Sequence, residues 1–206
     1  MKRTLEEHAA RFDDVAGEYD DSQNDTGEYR ACVSLVVEHA DPGPDETVVD
    51  LGTGTGAIAL ALADEAGEVV GRDISEGMME RAREKADSQG IDNVAFGEGR
   101  FREPNVDSAD VVVSNFAMHH LGDEEKREAI EAIAGLGPRK FVLGDVMFFG
   151  EPDPDEPFYS PEVDDPSTVG HLADALTDAG FALTAVERVH DQVGVLVAER
   201  GASGNE

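Results

Sequence analysis

Val48-Val49-Asp50-Leu51-Gly52-Thr53-Gly54-Thr55-Gly56 is a short apolar run that ends in an acid and then in glycines at alternate positions. Val48, Val49 and Leu51, three branched apolar residues at its start, read as a buried strand. The Ala- and Leu-rich stretch Ala57 to Ala66 that follows reads as a helix. Glycines between a strand and a helix permit a tight turn and let a ligand approach the backbone, while amides at the helix start offer hydrogen bonds. Alone the turn does not choose its ligand, because Gly52-x-Gly54-x-x-Ala57 also satisfies the Gly-x-Gly-x-x-Gly/Ala pattern of dinucleotide sites.

On both sides of this stretch the pattern extends. Downstream, strand-length apolar runs at Val69 to Arg72, Val94 to Phe96, Asp110 to Ser114 and Phe141 to Met147 alternate with amphipathic segments. Glu76 to Ser88 carries Met78, Met79 and Ala82 at helical intervals, and Asp123 to Leu136 carries Ala129, Ile130, Ile133 and Leu136. Strand and helix in alternation predict a doubly wound α/β fold with a parallel sheet covered on both faces. Upstream, residues 3 to 20 and 26 to 40 read as two helices, stopped by Asp41-Pro42-Gly43-Pro44. Gly150 to Pro166 holds five prolines and seven acids without a period, which predicts a long loop. A helix over 167 to 179 and strands over 181 to 189 and 192 to 199 complete the chain, the two strands forming an antiparallel hairpin. The expected organisation is a helical cap over 1 to 43, a core over 44 to 200, and a tail from 201 to 206 with nothing to bury.

The chain has 206 residues, 40% of them hydrophobic, enough for one domain with its own core. Its 46 acids against 16 bases give a formal net charge of −30. Such a surface repels a phosphate backbone, so nucleic acid is excluded as a partner. At molar salt the Debye length falls to about 3 Å and self-repulsion is screened, so the acid excess, with only four Lys, reads as adaptation to a salt-rich cytoplasm. Cys32 is the single cysteine and reads as a buried, inert thiol. No apolar stretch reaches membrane-spanning length, and the start lacks a signal-peptide core, so a cytoplasmic protein is expected.

Two acids decide between the ligands the glycine turn permits. Asp50, two residues before Gly52, would oppose a pyrophosphate but suits a ligand with a positive segment. Asp73 ends the second strand, where it can accept from two ribose hydroxyls. With Phe12-Asp13-Asp14-Val15-Ala16-x-x-Tyr19-Asp20 ahead of these motifs and Val111-Val112-Val113-Ser114-Asn115-Phe116-Ala117-Met118-His119-His120-Leu121 after them, the chain resembles the class I S-adenosylmethionine-dependent methyltransferases. Within that class it is most similar to small single-domain enzymes, including bacterial ones linked to sulfur amino acid recycling.

The resemblance implies a Rossmann-like seven-stranded sheet in the order 3-2-1-4-5-7-6, and S-adenosylmethionine as cofactor. It places Gly52, Thr53, Gly54 and Gly56 against the methionine part, and Asp50 on the turn and the ammonium end. Asp73 falls on the ribose, and Ile74 and Met78 fall along the adenine. Asn115 and Phe116 would border the sulfonium, and Tyr19 and Arg30 would close over the amino acid end. The chain departs from the family after the third strand, where Glu98-Gly99-Arg100-Phe101 puts Arg100 in place of the acid that accepts from the adenine amino group. An arginine cannot accept that bond, so Glu98, a backbone carbonyl or packing by Phe101 must compensate.

Methyl transfer is an in-line displacement, and a base is needed only when the nucleophile starts protonated. Candidates are His119, His120 and Asp145, the last interrupting an apolar strand towards its carboxyl end. His8, His39, His171 and His190 read as surface or helix-end residues, Phe148, Phe149, Phe158 and Tyr159 as pins holding a loop, and the Asp-Asp pairs as solvated, with no metal expected. The expected activity is methylation of a small-molecule acceptor by a monomer or homodimer. Alternatives are a cofactor-binding regulatory module without turnover and a nicotinamide oxidoreductase, which Asp50 and the lack of a Tyr-x-x-x-Lys pair disfavour.

Overall fold

The computed structural model describes residues 5–17, 19, 26–152 and 157–201. The start of the first expected helix, the loop positions 153–156 and the tail from 202 lie outside them. Parallel strands β1 (Thr47–Leu51), β2 (Glu68–Asp73), β3 (Val94–Glu98), β4 (Val111–Asn115) and β5 (Lys140–Phe148) form where the apolar runs lie. The hairpin β7 (Ala182–His190) and β8 (Val193–Glu199) completes a sheet of order β3-β2-β1-β4-β5-β8-β7, with β8 antiparallel to both neighbours. This is the expected order once a two-residue strand, β6 (Ser167–Thr168), is counted; it pairs with β5 where the sequence predicts the start of a helix.

Two apolar layers sandwich the sheet. One face carries Val49, Leu51 and Val112 against helices α5 (Asp123–Gly135) and α6 (Val169–Asp178), through Ile130, Ile133, Leu172 and Leu176. The other carries Val48, Val111 and Val113 against α2 (Gly27–Ala40) and α3 (Ala57–Leu62), through Cys32, Val36, Ile58 and Leu62. Helix α2 is therefore part of the layer that covers the sheet. Burial pushes the Cys32 thiol up to about 12, as expected for an inert group. Helix α3 stops four residues earlier than its composition predicts, because Asn93 captures the carbonyls of Ala63 and Ala66.

Helix α1 spans Leu5–Val15 and gives way to a turn at Ala16 and Gly17, which interrupts the helix expected over 3 to 20, whose positions 3, 4, 18 and 20 lie outside the described residues. It docks on α4 (Glu76–Gln89) through Asp13, which accepts from Ser75 Oγ at 2.6 Å and from the Gly77 amide at 2.9 Å. A carboxylate at a helix N-terminus is favoured by the dipole and the open amides there. That contact holds α1 across the carboxyl edge of the sheet. Among the described residues no helix is long and apolar enough to cross a membrane.

Candidate active site

Between β1 and β4 the chain reverses its direction of winding, and a crevice opens there at the strand ends. It is a cavity of about 490 Å³. Its floor is the glycine turn. Gly52 and Gly54 have φ of +72° and +53°, a region glycine enters without cost. A Cβ on Gly52 would lie 2.4 Å from Ala117 Cβ, whereas one on Gly54 would meet nothing within 4 Å. The first glycine is thus demanded by packing, and the second leaves open space on the cavity side.

Asp50 and Asp73 hold this turn. Asp50 accepts from Thr53 Oγ1 at 2.7 Å, and burial pushes its carboxyl up to about 7 against the opposing Thr53 bond. Asp73 accepts from the Gly54 amide at 2.8 Å and the Ser75 amide at 3.0 Å, and burial raises it as well. The amides of Gly52 and Thr53 go to the Arg72 carbonyl, so the turn is largely satisfied from within. The Ile74 amide adds a third bond to the Asp73 carboxylate, which still leaves acceptor capacity, and the residue lines the cavity.

Two wall residues carry unspent potential. Asn115 is buried at the end of β4, lines the cavity, and among the described residues neither its Nδ2 nor its Oδ1 has a hydrogen-bond partner. Phe116 beside it takes φ of +51°, a strained conformation for a bulky residue, fixed by its amide bond to the Gly144 carbonyl at 2.8 Å. An orphaned buried amide and a strained aromatic mark a ligand wall.

Thr53, Ile74, Met78, Arg100, Phe101 and Tyr19 also line the cavity, as the sequence reading places them. Two expected residues do not. Gly56 caps α3 with φ of +84° and faces Ala82 and Phe96, and Arg30 is exposed while its neighbour Tyr29 takes the wall position. After β3, Arg100 and Glu103 exchange backbone hydrogen bonds; Glu103 and Phe101 reach the cavity wall and Glu98 does not. Phe148, Phe149, Phe158 and Tyr159 lie outside the wall, with Phe158 held by Gln192 and stacked near His190. His39, His171 and His190 are peripheral, but His8 is 8% exposed and lines the cavity, contrary to its expected surface position. Its place on one stripe with Phe12 and Tyr19 is the signal that could have found it.

The three candidate bases fall into two carboxylate–histidine pairs. His119 donates its amide to Asp145 Oδ2 at 2.9 Å and brings Nδ1 to Oδ1 at 2.5 Å. His120 Nδ1 lies 2.8 Å from Asp164 Oδ1, an acid the sequence reading treats only as solvated. Burial alone would push His119 down, yet the carboxylates of Asp145 and Asp164 hold it above its ordinary value. Burial and the neighbouring His119 push His120 down, against Asp164 and Asp145. His120 lines the cavity; His119 and Asp145 sit behind it. One ligand atom each of His119, His120 and Asp164 lies within 4.8 Å of the others; in the structure the two Nδ1 atoms are matched to Asp145 and Asp164, and the two pairs approach one another where His119 Nε2 lies 4.0 Å from Asp164 Oδ1.

Comparison with known proteins places this architecture. A family model described as a methyltransferase domain matches residues 48–136. An uncharacterized methyltransferase of Exiguobacterium sibiricum is 32% identical over 151 residues, 68% of this chain and 69% of the relative. A solved DhpI–SAH complex superposes with a TM-score of 0.73 at 20% identity, over 96% of this chain and 97% of that one. The cyclase SpnF does so at 0.79 and 16% identity, over 97% of each, so likeness at this level shows the fold alone. From the sequence match, the chain belongs to the class I S-adenosylmethionine-dependent methyltransferases.

Proposed function

We propose that the chain transfers a methyl group to a small-molecule acceptor held in this cavity. When bound, S-adenosylmethionine supplies an electrophilic methyl carbon on a sulfonium. The observation that carries the reading is Asn115, a buried amide with both polar atoms unpartnered, beside an open glycine turn and the cavity-lining Asp73. Burying such an amide without partners costs about 1–3 kcal/mol, which a ligand on this wall recovers.

The residues divide the work. Asp50 and Thr53 fix the turn, Asp73 accepts from the ribose hydroxyls, Ile74 and Met78 flank the adenine, and Glu103 and Phe101 stand where the usual adenine-binding acid is missing. Asn115, Phe116 and Tyr19 enclose the reacting end, with Tyr29 in the place expected of Arg30. His120, backed by the His119 and Asp145 pair, is the candidate proton acceptor. A small acceptor is favoured because α1 lays His8 and Phe12 over the crevice and no basic surface accompanies the net charge of −30. The same acidity suits a cytoplasm of concentrated salt.

Incubating the protein with labelled S-adenosylmethionine and fractionated metabolites in concentrated salt tests the proposal. Release of S-adenosylhomocysteine with a labelled small product is expected. Tight cofactor binding without release from any fraction would instead make the chain a cofactor-sensing module, and fluorescence enhancement of NADH would make it an oxidoreductase.

A further inference from the structure

We infer that the acceptor is a small, uncharged, planar aromatic molecule bearing an ionisable hydroxyl, and that Asp164 is the positioning residue that readies His120 to take the hydroxyl proton. The inference rests on the methyltransferase reading of the cavity.

The histidine comes first. A carboxylate can only accept, so the 2.8 Å contact with Asp164 commits His120 Nδ1 as donor and leaves Nε2 as the acceptor atom of a cavity-lining ring. Asp164 is itself held in place: its other oxygen accepts from the Ser160 amide at 2.8 Å, and the next residue donates its amide to the His119 carbonyl at 2.7 Å. Buried Lys126 reaches the Asp165 carbonyl and, at 2.7 Å, that of Leu121, tying this end of the loop to the histidines. The pairing is therefore built from four sides. A base so prepared serves only a nucleophile that arrives protonated. Phenolic hydroxyls, near pKa about 10, lie closer to imidazole than aliphatic hydroxyls do, so transfer as the new bond forms is easier for them.

The walls select the rest of the molecule. The rings of His8 and Phe12 stand 5.2 and 5.6 Å from that of His120, and Tyr29 stands 5.5 Å from Phe116. All of these line the cavity, and flat aromatic surfaces favour a flat aromatic guest. On the rim Arg102 is engaged by Glu128 at 2.7 Å and by Glu125 at 3.5 Å, and Arg100 faces Glu98 at 4.0 Å, so neither arginine is left as a dedicated counter-ion to a charged acceptor. In the step itself the acceptor oxygen's lone pair forms the bond to the methyl carbon, the carbon–sulfur pair leaves with sulfur, and the hydroxyl proton passes to His120 Nε2.

Naphthol, nitrophenol, benzylamine, benzenethiol and benzoate, each offered with S-adenosylmethionine to the full chain, test this. Calorimetry without cofactor gives a second readout and should show naphthol binding ahead of benzylamine and benzoate. Turnover should follow the same order, with naphthol methylated on oxygen. Asp164→Asn should lower the naphthol rate at least about tenfold. It should cost less with nitrophenol, whose more acidic hydroxyl needs less help from the base, and Asp164→Glu should recover part of the loss. Nitrogen NMR of the imidazoles should show His120 protonated on Nδ1 in the parent and a mixed tautomer in Asp164→Asn. Preference for the amine, thiol or carboxylate, or no turnover of either hydroxyl compound by protein that binds the cofactor, overturns the acceptor class. An equal loss with naphthol and nitrophenol reduces Asp164 to a structural role. Activity that depends on a chelatable cation would also overturn the proton-transfer role. Failure to bind S-adenosylmethionine at all would instead strike the methyltransferase reading.

Discussion

Asp145 receives His119 twice, through the backbone amide at 2.9 Å and through ring Nδ1 at 2.5 Å, so a single carboxylate fixes both the path of the chain after β4 and the orientation of the first histidine. Because both groups are buried, removing either leaves the other without its partner. Asp145→Asn should destabilise the fold by about 3–5 kcal/mol, measured by denaturant unfolding. The pH dependence has a definite sign. His119 is raised in the folded state, so its pairing contributes fully below its unfolded value of about 6.5 and is lost as pH rises through the folded value. The gap between parent and variant should therefore be widest in mild acid and narrow towards alkaline pH. A constant gap would show that the pair carries no proton linkage.

Gly52 and Gly54 should respond differently to alanine. Both pay about 1–2 kcal/mol for a left-handed backbone, but Gly52→Ala also drives a methyl to 2.4 Å from Ala117. Overpacking of this kind adds about 1–3 kcal/mol. Thermal unfolding should rank Gly52→Ala well below Gly54→Ala. Equal melting temperatures would contradict the packing role of Gly52.

Asn115→Ala should separate stability from binding. The amide has no hydrogen-bond partner among the described residues, so the free protein should keep its stability within about 1 kcal/mol while S-adenosylmethionine binds less well. A large loss of stability would mean that the side chain serves the fold.

Salt should act in the direction set by charge. With a formal net charge of −30, raising potassium chloride from dilute to molar concentration should raise the melting temperature by screening self-repulsion. A melting temperature indifferent to salt would refute the reading of the acid excess.

Much of the site can be read from the sequence because its parts follow directly from strand ends. A strand that stops at Leu51 puts Asp50 and Gly52 at the carboxyl edge, and one that stops at Asp73 puts that acid beside them, whatever the helices do. Helix phase is harder to read. Tyr29 and Arg30 are one residue apart, a rotation of about 100°, and the burial of Cys32, Val36 and Ala40 on the sheet decides which of them turns towards the cavity. Asp164 lies further out of reach. It meets His120 from 44 residues away, within a proline-rich acidic loop whose composition gives no period to fix its path. The same holds for β6, since two residues give no alternation to recognise.

Isothermal calorimetry of S-adenosylmethionine with the parent, Asp73→Ala and the isosteric Asp73→Asn, in concentrated salt, tests the central claim most directly. Loss of two ribose hydrogen bonds, about 0.5–1.5 kcal/mol each, predicts an affinity about five- to 150-fold weaker for Asp73→Ala and an intermediate value for Asp73→Asn. Equal affinities for all three folded proteins would contradict the placement of the cofactor across the ends of β1 and β2.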